Sequence, residues 1–421
     1  MKLQQSARVR PQPAAARAAS WLRPKTWAYA VPGSRDLRID FLRGFLVLAM
    51  IADHIGGDSL FNAISGNNSF LISAAEGFVF ISGMLMGVVY GRRALKNGLQ
   101  AGLLAVLRRA WFLYTTVLAL TLGSLALYLF TNVPLFNDRS NGLGVATPLQ
   151  AIVGAITMHY SFNGTDVLCV YVQLVAFAPI ALYLLVSGRT RYLLLLSWVL
   201  WGVYQFYPDE AAVPWTVQNS IFPFATWQLL FYNGMALGFH RERLDSLARV
   251  LARRVVFIAL DLAVVGLILL ARAYHDGSLL HMGIPGLTTQ NWDFLFNKSP
   301  LGAGRVVTFV IFAAFAQQLV SRFWVPLQWA FGWFLLPLGQ SALLAYGSHL
   351  FLIGPAHVLG PYLQQALGDP TLTATMTQLT VLLVVQVLVK IQAGKHSFGL
   401  LLSVARRWLL AWMPLNAARR T

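Results

Sequence analysis

The sequence predicts an all-α, polytopic membrane protein of about ten spanning helices with both termini in the cytoplasm. Three observations lead there. Hydrophobic residues make up 57% of the 421-residue chain and charged residues only 11%, against roughly 25% charged in ordinary soluble domains. The apolar residues fall into runs of roughly twenty, which as helices rising about 1.5 Å per residue match a hydrocarbon core of about 30 Å. The basic residues collect in alternate loops, as expected where cytoplasmic loops retain Lys and Arg.

Residues 1–34 set Arg8, Arg10, Arg17, Arg23 and Lys25 among Ala and Pro without an apolar core. A disordered basic cytoplasmic tail is expected there, and not a signal peptide. The transmembrane domain, residues 35–391, holds the expected spans at 39–56, 69–90, 109–131, 165–187, 191–207, 222–240, 255–274, 304–321, 337–358 and 372–391. Residues 146–159 are apolar but too short to cross, and read as a re-entrant or interfacial helix. Gly83-x3-Gly87 reads as a helix-packing motif. Residues 392–421 read as a cytoplasmic, amphipathic basic segment lying on anionic lipid.

With the N-terminus inside, 27 of the 32 Lys and Arg fall on cytoplasmic segments. The outer segments hold only Arg139, Arg272, Lys298 and Arg305, while Arg43 stays within a span. This asymmetry accounts for the net charge of +17 by topology, so the bilayer and not nucleic acid is the expected partner. Cys169 is the single cysteine, which excludes an intrachain disulfide and a multi-thiolate metal site, and no metal is expected.

The first span, RDLRIDFLRGFLVLAMIADHI from Arg35 to Ile55, carries the chemistry. A charged side chain at the bilayer centre costs roughly 2.5–3.5 kcal/mol even on mild scales, so Arg43 there points to function. His54 follows Arg43 by 11 residues, about three helical turns, which puts both on one stripe about 16 Å apart. Asp36 and Asp40 lie near that stripe. Structural readings stand beside these: His54 capping carbonyls at a helix end, Arg43 paired with Asp36, Asp40 or Glu76, and Asp36, Arg38 and Asp40 forming a salt-bridged boundary. Asp261, within the seventh span, has no evident partner.

At RDLRIDFLRG followed by ADHI the sequence resembles the OpgC family of osmoregulated periplasmic glucan succinyltransferases, within the acyltransferase-3 group. AAEGFVFISGMLMGVVYG from Ala74, RAWFLY from Arg109, DVLCVYVQLVAFAP from Asp166, FPFATWQLLFYNG from Phe222 and LGQSALLAYGSHL from Leu338 extend the likeness over nearly the whole chain after residue 34. The resemblance implies a multi-pass protein of the bacterial inner membrane. It would move an acyl group from cytoplasmic acyl-CoA, succinyl-CoA first and acetyl-CoA second, to a hydroxyl of a periplasmic glucan or another envelope glycan. Arg43-x10-His54 fits the group's signature, in which the histidine is essential.

On that reading His54 is the general base, since imidazole titrates near the working pH. Asp53 is adjacent in sequence but about 100° away on a helix, so Glu76 in the second span is the candidate to orient the ring. Arg43, Arg92, Arg93, Arg108 and Arg109 are candidates for donor phosphates, though arginine pairs also serve as topology signals. Ser82, Tyr346 and His349, with Asp36, Arg38 and Asp40, could line the substrate path or form interhelical hydrogen bonds. Trp215, Trp227 and Trp292 could stack on sugar rings or anchor the interface. A transporter or flippase is the reading from another class; it shares the spans and buried charge, but no inverted repeat is visible. The sequence leaves a homo-oligomer open.

Overall fold

The computed structural model describes residues 36–66, 69–130, 138–140, 147–162, 164–211, 221–243, 249–251, 253–282 and 288–412; the expected tail at 1–34, Trp215 and residues 413–421 lie outside them. Each expected span is helical: α1 Leu37–Ile55, α3 Ala74–Asn97, α4 Leu99–Phe130, α6 Asp166–Val186, α7 Thr190–Phe206, α8 Phe224–His240, α9 Arg254–His275, α12 Ala303–Arg322, α14 Ala342–Leu367 and α15 Pro370–Trp412. Between them lie the short helices α2 Leu60–Ser65, α5 Pro148–Ile156, α10 Ser278–His281 and α11 Thr289–Phe296. The protein is an all-α multi-pass membrane protein: seven described helices, α3, α4, α6, α9, α12, α14 and α15 to Ala393, are long and apolar enough to cross a bilayer. The expected count of ten exceeds this for clear reasons. The 19 residues of α1 include Arg38, Asp40, Arg43 and Asp53, and α7 and α8 have only 17 residues each.

Two elements differ from the sequence expectation. The segment expected to span 337–358 begins in a separate helix, α13 Trp324–Gln340, and breaks at Ser341, whose φ of −116° and ψ of 34° are not helical. Pro337 inside α13 lacks the N–H of a helical hydrogen bond, which weakens the helix just before that break. The Trp324 ring packs edge-on at 5.9 Å from Phe41, while Gly339 abuts the Asp40 carbonyl. Both ends of α13 thus meet the first turn of α1. The second difference is a two-stranded antiparallel ribbon, β1 Asp138–Ser140 with β2 Tyr160–Phe162, on either side of the expected 146–159 helix in a stretch where no strand was expected. The intervening α5 packs on α4. At the other end of the chain, α15 continues without a break past residue 392 to Trp412.

The tightest helix pair is α3 with α8. Gly83 and Gly87 face the carbonyls of Phe231 and Met235, and Gly234 and Gly238 face those of Phe80 and Met84. A Cβ at any of these four would run into the opposing backbone, so the motif read at Gly83-x3-Gly87 has a reciprocal counterpart on α8 in Gly234-x3-Gly238. Gly238→Leu is expected to lower the thermal midpoint of the purified protein in detergent, at a cost of about 1–3 kcal/mol. Gly202→Leu, where an added Cβ meets open space, is expected to leave the midpoint unchanged.

Candidate functional site

The C-terminal end of α1 is held in place from two sides. Gly56 terminates the helix with a positive φ of 76°, so His54 sits in the last turn. Gln378 of α15 donates to the carbonyls of Ala52 at 3.3 Å and Gly56 at 3.0 Å and accepts from the Ser59 hydroxyl at 2.6 Å. Open carbonyls at the helix end are thereby satisfied by side-chain donors.

His54 meets a residue of α14. Its Nδ1 lies 2.8 Å from Nε2 of His349, and Nδ1 of His349 bonds to the Tyr346 carbonyl. His349 is fully buried and His54 partly so. The Tyr346 ring packs edge-on against both imidazoles, at 5.9 and 4.8 Å, and its hydroxyl donates to the Gly164 carbonyl at 3.0 Å. His54, Asp53, Ser73, Asp166, Lys298 and Tyr346 line a cavity of about 190 Å³.

Glu76 does not take the place expected for it beside the imidazole. Its carboxylate closes a capping box with Ser73 at the start of α3 and pairs with Arg305 of α12. Both partners are buried, and Arg305 also donates to the Phe296 carbonyl at 3.3 Å. The carboxylate at N3 of α3 is therefore committed to a buried ion pair, and a second imidazole occupies the position beside His54. Asp53 reaches the same cavity and accepts from Ser65 at 3.3 Å.

A second cavity of about 640 Å³ lies further along α1, lined by Arg43, Arg109, Gln340, Ser341, Ser348 and Gln392 among others. The Arg43 guanidinium sits 5.5 Å over the Phe78 ring. α14 borders both cavities with different faces: Tyr346 lines the His54 one, while Leu343, Leu344, Gly347, Ser348 and Phe351 line the Arg43 one.

The other arginines expected to bind phosphate divide. Arg109 lines the Arg43 cavity; Arg92 is paired with Glu242 at 3.3 Å, and Arg93 and Arg108 are exposed. Arg38 forms a two-pronged bond to Asp36, at 2.9 and 2.8 Å, and reaches Ser321 at 3.2 Å; Asp40 beside it is buried. The Arg38–Asp36 pair is the part of the salt-bridged boundary reading that these contacts show. Asp36 is engaged by Arg38 and Glu76 by Arg305, so neither is the dedicated counter-ion of Arg43. Ser82 is buried in α3 and lines neither cavity.

The tryptophans are corrected too. Trp227 is fully buried against Phe222, at 4.7 Å, and Trp292 is stacked on Tyr274 at 4.1 Å. Their faces are used inside the protein, so neither offers a sugar platform or a lipid-facing belt.

Asp166, Lys298 and Arg305 belong to this region and were not singled out by sequence. The signal was present: Lys298 and Arg305 are two of the four basic residues that the loop count left on the outer side, and Asp166 heads an otherwise apolar run. Lys298 lies in the turn before α12; burial, with Arg305 nearby, lowers its pKa, against the opposing pull of Glu76, Asp53 and Asp166.

A family model described as OpgC protein matches residues 35–394. No curated protein and no solved structure matches the chain.

Proposed function

The chain belongs to the OpgC family, acyltransferases acting on periplasmic glucans, and from that premise we propose that it carries an acyl group, succinyl in the first instance, from cytoplasmic acyl-CoA to a glucan hydroxyl across the inner membrane. The observation that carries this reading is the pair of cavities on α1, one at Arg43 and one at His54, both bordered by α14. Arg43 and Arg109 would bind the donor's phosphates and pantetheine arm, guanidinium being suited to phosphate. The acceptor hydroxyl would enter the smaller cavity, where Asp53, Asp166 and Lys298 offer hydrogen bonds to a sugar. His54 takes the hydroxyl proton as the oxygen attacks the thioester carbonyl; the C–S bond breaks, the ester C–O bond forms, and the proton passes to the departing thiolate. Acetyl-CoA is the alternative donor.

The proposed topology has both termini in the cytoplasm and ten crossings, α1, α3, α4, α6, α7, α8, α9, α12, α14 and α15. Here α13 is assigned to the cytoplasmic side beside the start of α1, whose Phe41 and Asp40 contact its Trp324 and Gly339. Of the six lysines, Lys2, Lys25, Lys96, Lys390 and Lys395 then face the cytoplasm and only Lys298 the periplasm. A membrane-impermeant amine-reactive reagent applied to intact spheroplasts is expected to label Lys298 alone, read by peptide mass spectrometry. The lowered pKa of this lysine favours the reaction, since a larger share is unprotonated amine at neutral pH. Labelling of Lys96 from outside would overturn the topology.

The function is tested by expressing the chain in a cell that makes periplasmic glucans but lacks its own acyltransferase. Ester-linked acyl groups are expected on the glucan by mass spectrometry, and their mass identifies the donor. Unmodified glucan alongside normal amounts of protein in the membrane would refute the assignment.

A further inference from the structure

The bonds around His349 have directions that follow from the groups involved. The Tyr346 carbonyl has no hydrogen to give, so His349 must be the donor, through Nδ1–H. His349 is fully buried, which favours the uncharged ring with one hydrogen, and that hydrogen is already on Nδ1. Its Nε2 is consequently a lone pair. The atom facing that lone pair at 2.8 Å, Nδ1 of His54, must then be N–H.

The ring arrangement agrees with such a bond. The imidazole centroids are 5.1 Å apart with planes only 28° from parallel, a separation that matches the N–N distance plus the two ring radii. The rings meet edge to edge, with the nitrogens aimed at one another. Tyr346 packs across both rings and is anchored to Gly164, which restrains the pair from rotating.

We infer that His349 is a positioning residue that fixes the tautomer of His54: the backbone carbonyl of Tyr346, the His349 ring and Nδ1–H of His54 form a one-way relay that leaves Nε2 of His54 as the unprotonated nitrogen available to the acceptor hydroxyl. The relay does with a neutral imidazole what a buried carboxylate does in acyl-transfer triads, where orientation and tautomer are the supporting group's contribution. The inference rests on the proposed role of His54 as base.

Steady-state rates of the purified full-length protein in nanodiscs, against both donor and acceptor, test it with three variants. Gln at position 349 can place a carbonyl oxygen where Nε2 lies and accept from His54. Asn can replace only the Nδ1 bond to Tyr346, and Leu replaces neither. His349→Gln is expected to keep kcat within about tenfold of the parent. His349→Asn and His349→Leu are each expected to lose about 10²–10⁴-fold in kcat, the range over which a correctly poised base acts, with both KM values nearly unchanged.

A space-filling role would not separate Gln from Asn. Equal loss in the Gln and Asn variants, or full kcat in the Leu variant, overturns the relay. Should His349→Leu fail to fold, the Gln and Asn pair still decides it. His54→Ala run in parallel separates this from the underlying reading. An inactive His54→Ala beside a fully active His349→Asn refutes only the relay, whereas an active His54→Ala refutes the base itself.

Discussion

Replacing His54 with alanine is expected to abolish acyl transfer while leaving the amount of protein in the membrane unchanged. A positioned general base contributes typically 10²–10⁴-fold to alcoholysis of a thioester by removing the hydroxyl proton in step with attack. The fold should tolerate the change. His54 lies in the last turn of α1, is only partly buried and borders a cavity, and alanine is the strongest helix former. Glucan ester content by mass spectrometry, with immunodetection of both proteins in the membrane fraction, reads the result directly. Undiminished acylation by the variant would sink the role given to this residue.

Arg305→Ala is expected to produce the largest loss of stability. The Glu76–Arg305 pair is buried on both sides, and removing one partner of such a pair costs about 3–5 kcal/mol because the other charge is left uncompensated. Glu76→Ala should behave alike, with the added loss of the capping box at the start of α3. The double variant Glu76→Leu/Arg305→Met leaves no orphaned charge and is expected to recover much of the loss. Denaturation midpoints in detergent decide this: if the double variant is no more stable than Arg305→Ala, charge pairing is not what holds these helices together.

The helical class, the positions of the apolar segments and the shared stripe of Arg43 and His54 were legible because each depends on local periodicity. The break at Ser341 was not. Pro337 and Gly339 stand just before it, but they sit within a continuous apolar stretch, and the course of α13 is set by Gly339 and Gly44 packing against facing backbone, a tertiary contact. The partner of His54 was missed for a related reason. Carboxylates are the familiar companions of catalytic histidine, and Glu76 is the acid of the second span; its real commitment depends on Arg305, 229 positions away in sequence. His349 was noticed only as an intramembrane polar residue, since nothing local to LLAYGSHL reveals which ring it faces. The surroundings of the His54 cavity were partly legible: Lys298 and Arg305, two of the basic residues that the loop charge count assigns to the outer side, are the ones that the fold brings near it.

The bordering of both cavities by α14 has an electrical meaning. On the proposed topology, with water entering the Arg43 cavity from the cytoplasm and the His54 cavity from the periplasm, the membrane voltage would fall mainly between the two cavities and not across the full bilayer. A unit charge crossing that drop gains or loses about 2.3 kcal/mol per 100 mV. A succinyl group carries a free carboxylate outward, down the field of an inside-negative cell, whereas an acetyl group carries no charge. The turnover of the same protein would therefore respond to membrane voltage with one donor and be indifferent to it with the other.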